Sequence, residues 1–327
     1  MCEVLAKPFN DVMWMQIIIG ITMLVASAMC LVVNLIVIRA IVVDNDLFKL
    51  NSYKFMLALG AVDCSQSCVH FVSGFYTIYE STFQSWHSQA LGAIVTPSYV
   101  FYIIITIVLA FNRLIVLTSD RLDELLFSPF WLKFWFLLPA LISLSFSLAL
   151  CSPWAAISYS PDQFSWAYDE SRPLSNLVQS LEEIIEVAGI PVAGLIYGAI
   201  FFAILYKRIN GLVLRQTGAV AERKVLIQAF VITVYCTVLN SFWHNSKWLL
   251  PNTKTAKCAL NFMWICNGAV NPLIYLAVNS EIRRRIGATF GALSRTNGQQ
   301  NMRTTVDVLQ VRRLMRPIPM QNNFCKT

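Results

Sequence analysis

The sequence predicts an all-α membrane protein: a bundle of seven transmembrane helices followed by a short amphipathic helix. Three observations carry this. The 327 residues are 57% hydrophobic and only 13% charged, against about 25% charged in a soluble domain. The apolar residues fall into seven long blocks nearly free of charge. Lys and Arg are divided very unequally between the two sets of connections that those blocks define.

The blocks run over 12–38, 55–79, 88–112, 134–161, 187–206, 225–246 and 258–280. Each reaches the ~20 residues that cross ~30 Å of hydrocarbon at 1.5 Å per residue. They lack the alternation of barrel strands, and a helix is then the only structure that satisfies its own backbone in lipid. Seven spans put the termini on opposite sides. One face holds 20 of the 25 Lys and Arg, in the 39–54, 113–133 and 207–224 connections and the tail; the other holds Lys7, Arg172, Lys247, Lys254 and Lys257. By the positive-inside rule the N-terminus is outside and the C-terminus cytoplasmic. The net charge of +7 is a topology signal and calls for no nucleic acid. The expected division is an extracellular segment 1–15, a transmembrane domain 16–291 that includes an amphipathic helix over 280–291, and a cytoplasmic tail 292–327. The flanks of the first span, Glu3 and Asp11, do not suit a cleaved signal peptide, so it is expected to insert uncleaved.

Polar groups inside the spans are few, and each is costly there. The first span carries Asn34 in "VVNLIVI". The second carries Asp63 in "LALGAVD". The third ends in "LAFNRLIVL", with Asn112 and Arg113. The seventh carries Asn267 and Asn271, four apart and so on one helix face. Asn side chains donate to carboxylates, so Asp63 is expected to meet both. Bonds holding the bundle together explain the same residues without any switch. Pro272 removes a backbone donor, so the carbonyl of Gly268 needs another partner. Tyr275 follows near the inner end. In "EIRRRIGATFGAL", Ile282, Ile286 and Phe290 share a face, and Arg283, Arg284 and Arg285 suit lipid phosphates. Glu182, Glu183 and Glu186 start the fifth helix. Glu182 and Glu186 share a face and would attract a cation, but charge at a helix N-terminus is the preferred explanation.

The outer connection 157–179 is polar, aromatic and long enough to fold over the bundle mouth. The nine cysteines show no paired spacing, and most read as packing residues; a Cys2–Cys258 bridge is one possibility. No internal repeat supports a transporter. His70, His87 and His244 are scattered and no nucleophile motif occurs, so no enzyme, metal or cofactor is predicted.

"NGAVNPLIY" resembles the N-x-x-x-N-P-x-x-Y signature of the seventh helix in rhodopsin-like G-protein-coupled receptors. "LALGAVD", Asn34, "AFNRLIVL" and Pro191 resemble their second-, first-, third- and fifth-helix motifs, over about residues 16–291. The start of the second span and "LAFNRLIVL" are similar to nematode serpentine chemoreceptors, of the Srt class first and the Srx or Srsx classes next. The resemblance implies a chemosensory receptor in the plasma membrane that takes a small-molecule or short-peptide ligand and activates a heterotrimeric G protein, with arrestin recruited by phosphates on Ser294, Thr296, Thr304 and Thr305. A transporter or channel, or a non-signalling decoy, is the alternative. The implied switch is Asn34, Asp63, Asn112, Arg113, Asn267, Asn271, Pro272 and Tyr275. The implied pocket is Phe75, Tyr79, Tyr99, Tyr102, Trp243, His244, Asn261 and Trp264.

The chain departs from the pattern at several places. Ser88 falls where the third helix usually has a Cys, and the outer loop has none to pair with it. Asn112 replaces the acid beside Arg113. "YCTVLN" lacks the Trp and Pro of the usual sixth-helix hinge. Val95 falls where amine receptors carry an Asp, which argues against an amine ligand. Tyr102 falls where a sodium-site residue is usual.

Overall fold

The computed structural model describes residues 9–210, 231–232 and 234–288. The expectations for residues 1–8, Cys2, the 211–224 part of the inner loop, Phe290, and the tail with Ser294, Thr296, Thr304 and Thr305 lie outside them. The chain divides into two compact units, Met1–Ile282 and Arg283–Thr327.

The first unit is helical. Its elements are α1 (Phe9–Val42), α2 (Asn45–Lys49), α3 (Asn51–Tyr79), α4 (Ser85–Thr118), α5 (Asp120–Leu126), α6 (Pro129–Cys151), a hairpin of β1 (Ile157–Ser160) and β2 (Ser165–Tyr168), α7 (Ser175–Ile209), α8 (231–232 and 234–244 as described), α9 (Ser246–Leu249) and α10 (Lys254–Val278). A further helix covers 280–288, within the expected 280–291. Among the described residues, α1, α3, α4, α6 and α7 are long and apolar enough to cross a membrane. α10 is long enough at 25 residues, but Asn261, Asn267 and Asn271 dilute its hydropathy.

α1 shows how the sequence sorts its faces. Ile18, Ile21, Val25, Met29, Val32 and Leu35 recur at helical spacing and are exposed, as suits a lipid-facing stripe. Met23, Ser27, Cys30, Asn34, Val37 and Ile41 recur on the opposite face and are buried against α3 and α10. Lipid tails are as apolar as leucine, so close packing and interhelical hydrogen bonds must hold such helices together. The α1–α3 crossing uses Gly20 and Gly74: a Cβ on Gly20 would sit 2.8 Å from the Gly74 carbonyl oxygen. α4 is central, packing on α3, α6, α7 and β1. At the inner end, Phe55 stacks on Phe136 at 4.8 Å, joining α3 to α6.

Two boundaries differ from the expectation. The fourth block overran its helix: α6 stops at Cys151, and Ile157–Ser160 is a strand. Its apolar residues are buried for another reason, because the hairpin lies on α4 and α10. The fifth helix begins at Ser175, twelve residues before its block, because an outer turn carrying carboxylates does not read as a span.

The hairpin pairs Ile157 with Tyr168 and Ser160 with Ser165. Ile157, Tyr159, Phe164 and Trp166 are all buried, so it folds over the bundle as the loop's length and aromatics suggest. Its seat is Gly92 on α4, where a Cβ would overlap the Ile157 carbonyl oxygen. Ser88 Oγ accepts from the Tyr159 N–H at 2.7 Å, and the Tyr159 and Thr77 hydroxyls meet at 2.6 Å. A hydrogen bond from the Tyr159 N–H to Ser88 thus holds the loop at the helix position where a disulfide is usual.

Candidate functional site

Among the described residues, three polar groupings within the bundle concern the expected switch and pocket. The outermost lines two adjoining cavities. One, of about 30 Å³, is walled by Ile103, Thr106, Ile107, Glu186, Ile190, Cys236 and Asn240 among others. The second, of about 10 Å³, is lined by Tyr99, Glu182, Glu186, Leu239, Asn240, Trp243 and Trp264. Glu186 and Asn240 belong to both.

Five elements position these groups. Glu182 and Glu186 stand one turn apart on α7, 4% and 2% exposed, with their carboxyls within electrostatic reach of each other. Tyr168, from the hairpin, donates to Glu182 Oε2 at 2.5 Å; burial beside Glu182 raises its hydroxyl far above the usual tyrosine range, so it stays a donor. His244 Nε2, on α8, meets Glu186 Oε2 at 2.8 Å. Tyr99 on α4 donates to Asn240 Oδ1 at 2.7 Å. Trp264 on α10 packs against Trp243 at 4.9 Å and Tyr99 at 6.0 Å. The preferred explanation of these glutamates, charge at a helix N-terminus, fails: α7 starts seven residues before Glu182, and the dipole effect fades within the first turn.

Below the cavities, Tyr99 stacks on Tyr102 with ring centroids 5.7 Å apart. Asn271 Nδ2 donates to the Tyr102 hydroxyl at 3.0 Å and to Asp63 Oδ2 at 3.3 Å. Asp63, Asn267 and Asn271 are all buried. Of the two asparagines on α10, Asn271 is the one that meets the carboxylate. Asn267 shares its helical face by spacing, but neither amide atom has a partner, so the expectation that Asp63 meets both is corrected. Asn34 has another role: its Nδ2 donates to the Gly268 carbonyl at 2.6 Å and to the Cys30 carbonyl at 3.0 Å. Gly268 is four residues before Pro272, so Asn34 supplies the donor that the proline lacks.

At the inner end, Asn112 is fully buried. Its Oδ1 accepts from Ser52 Oγ at 2.8 Å, and its Nδ2 donates to Asp123 Oδ1 at 3.3 Å. The neighbouring Arg113 is half-buried against Met56 Sδ and lies within electrostatic reach of Tyr53, Tyr197 and Tyr275. Among the described residues its contacts include no carboxylate.

The sequence pattern of the serpentine type seven-transmembrane G-protein-coupled chemoreceptors termed Srt matches residues 2–299. The chain belongs to the Srt family. Its fold is that of a G-protein-coupled receptor: the Srt chain superposes on the crystal structure of squid rhodopsin with a TM-score of 0.69 over 86% of this chain and 87% of that one, at 17% identity. No protein of curated function matches it in sequence.

Of the residues expected to line a pocket, Tyr99, Trp243 and Trp264 do so in this Srt chain. His244 touches the pocket through Glu186, and Tyr102 lies one ring below it. Asn261 is buried on α10 with both amide atoms unpartnered. Phe75 and Tyr79 do not belong: they are 37% and 63% exposed and line neither cavity, because they follow α3 onto its outer surface. Glu182, Glu186, Asn240 and Tyr168 were missing from that set. The i, i+4 spacing of the two glutamates was the one available signal.

Proposed function

We propose that the chain is a chemosensory receptor in the plasma membrane, N-terminus outside, that binds a small extracellular ligand among α4, α7, α8 and α10 and thereby activates a heterotrimeric G protein. One observation carries this reading: an unbroken line of contacts runs from the cavity wall at Tyr99 through Tyr102 and Asn271 to Asp63. A ligand pressing on Tyr99 bears on the side chain that holds α10 to α3. A ligand shifts a two-state protein only through contacts that differ between the states, and this line supplies such contacts. At the lower end Tyr275 lies within electrostatic reach of both Asp63 and Arg113, so repacking of α10 reaches the inner face where a G protein would dock. The excess of Lys and Arg on that face supports the orientation, and arrestin is a further partner of the tail.

The test is a signalling assay in cells carrying the chain, challenged with a library of small volatile and water-soluble compounds. A responding compound should lose its effect with Arg113→Ala and with Asp63→Ala while surface expression persists. Signalling intact in both variants would sink the switch assignment. An N-terminal epitope that stains only after permeabilisation would sink the orientation.

A further inference from the structure

We propose that the cavity between α4, α7, α8 and α10 takes a small organic amine in its protonated form, with Glu182 and Glu186 as its counter-charge and Asn240 as donor to an acceptor on the same molecule. This rests on the receptor reading above and names the class of ligand.

Charge balance comes first. A carboxylate removed from water is costly unless paired. Among the described residues, the partners of Glu182 and Glu186 are Tyr168, His244 and each other, with no Lys or Arg. Two acids this close share a proton and hold one negative charge between them, so a cation is favoured over an anion.

Unused valences come second. Glu186 Oε1 is buried and accepts nothing, and Asn240 Nδ2 and Trp264 Nε1 are buried and donate to nothing. Asn240 and Glu186 line both cavities, and Trp264 lines the smaller. Leaving such groups unmade costs about 1–3 kcal/mol each. An ammonium would satisfy Glu186 Oε1. A hydroxyl, ether or carbonyl oxygen on the same molecule would satisfy Asn240. The rings of Tyr99, Trp243 and Trp264 add faces on which a cation is attracted.

Size and geometry exclude the rivals. The free space between these walls is small, about 10 and 30 Å³, which leaves room for the ammonium of a small amine and not for a peptide. The acids and imidazole form no metal-holding group among the described residues. The absence of an acid at Val95 does not count against an amine here. Val95 lines neither cavity, and the counter-charge comes from α7 instead of α4.

The test uses the full chain, purified in detergent, with phenethylamine and choline as cationic probes and 2-phenylethanol as the neutral counterpart of the first. A cationic probe should raise the Tm at concentrations where the alcohol does not. Glu186→Gln should weaken that effect at least ~10-fold, and the double change Glu182→Gln with Glu186→Gln should remove it. The Tm without probe reports whether each variant folds. If a variant does not fold, the amine-against-alcohol comparison on the unaltered chain decides. Equal stabilisation by amine and alcohol, an undiminished amine effect in the folded double variant, or no shift with either cation overturns the proposal. Stabilisation by an amine in a chain that never signals would uphold the chamber and sink the receptor reading. Signalling to neutral compounds alone would do the reverse.

Discussion

Replacing Asn34 by Ala should destabilise the bundle, and the size of the effect should depend on residue 272. Asn34 Nδ2 donates to the Gly268 carbonyl at 2.6 Å, the carbonyl that Pro272 leaves without a helical partner. In Asn34→Ala that oxygen is buried and unbonded. The interhelical bond itself is worth about 0.6–2 kcal/mol, and an orphaned buried acceptor costs about 1–3 kcal/mol; a loss near 2 kcal/mol is expected. At ~2–4 °C per kcal/mol for a chain of this order, the Tm should fall by roughly 4–8 °C. Pro272→Ala returns an N–H to residue 272, which can close the helix's own bond to Gly268. In that background Asn34→Ala no longer strands the carbonyl and should cost about 1 kcal/mol less. The assay is a double-mutant cycle on the detergent-purified chain, unfolded thermally and followed by near-UV signal. Strictly additive effects, within ~0.3–0.5 kcal/mol, would refute the idea that Asn34 serves the carbonyl freed by the proline.

Further outcomes follow from other contacts. Gly92→Ala drives a methyl into the Ile157 carbonyl, so the hairpin must lift; an overpacking cost of about 1–3 kcal/mol and faster proteolytic cleavage within residues 157–168 are expected. Ser88→Ala should loosen the same loop, whereas a reducing agent should leave the Ser88–Tyr159 attachment unchanged, as read by cleavage of the hairpin. Asn112→Asp replaces a donor 3.3 Å from the Asp123 carboxylate with a like charge, so stability should fall by about 1 kcal/mol and recover when Asp123→Asn is added, as read by Tm. In the outer loop, hydrogen bonds from Ser171 lead the causes that hold the Asp169 carboxyl below its ordinary value, with Arg172 adding to them. Its contribution is therefore present above the unfolded carboxyl's pKa near ~4 and fades as pH falls through the lower folded value. Asp169→Asn should flatten that part of the Tm–pH curve, and an unchanged curve would remove Asp169 from the account.

The spans were legible because lipid imposes one strong rule, about twenty apolar residues in a helix, and α1, α3, α4, α6 and α7 obey it. Asn34, Asp63 and Asn271 were legible because a polar group in hydrocarbon needs a partner, and each has one. The identity of the partner was less so: Asn34 serves a backbone carbonyl, and Asn267, on the same face as Asn271 by spacing, stays off the carboxylate. The hairpin was hidden because Ile157 and Tyr159 are as apolar as the block before them, and sequence hydropathy does not distinguish burial under a loop from burial in lipid. Phe75 and Tyr79 misled for the opposite reason. An outer-half aromatic reads alike whether it faces the cavity or the lipid, and only the rotation of α3 separates the two. Glu182 and Glu186 lay in plain view, but a start for α7 near residue 182 made them look like end charges when they are well inside it.

The pairing of Asn34 with the Gly268 carbonyl also fixes an order in which substitutions can accumulate. With the asparagine present, loss of Pro272 leaves every backbone group satisfied, so that change is nearly silent and can precede others. Loss of Asn34 while the proline remains strands an oxygen at once. A lineage can therefore drift away from the proline first and the asparagine second, but the reverse path passes through a weakened bundle.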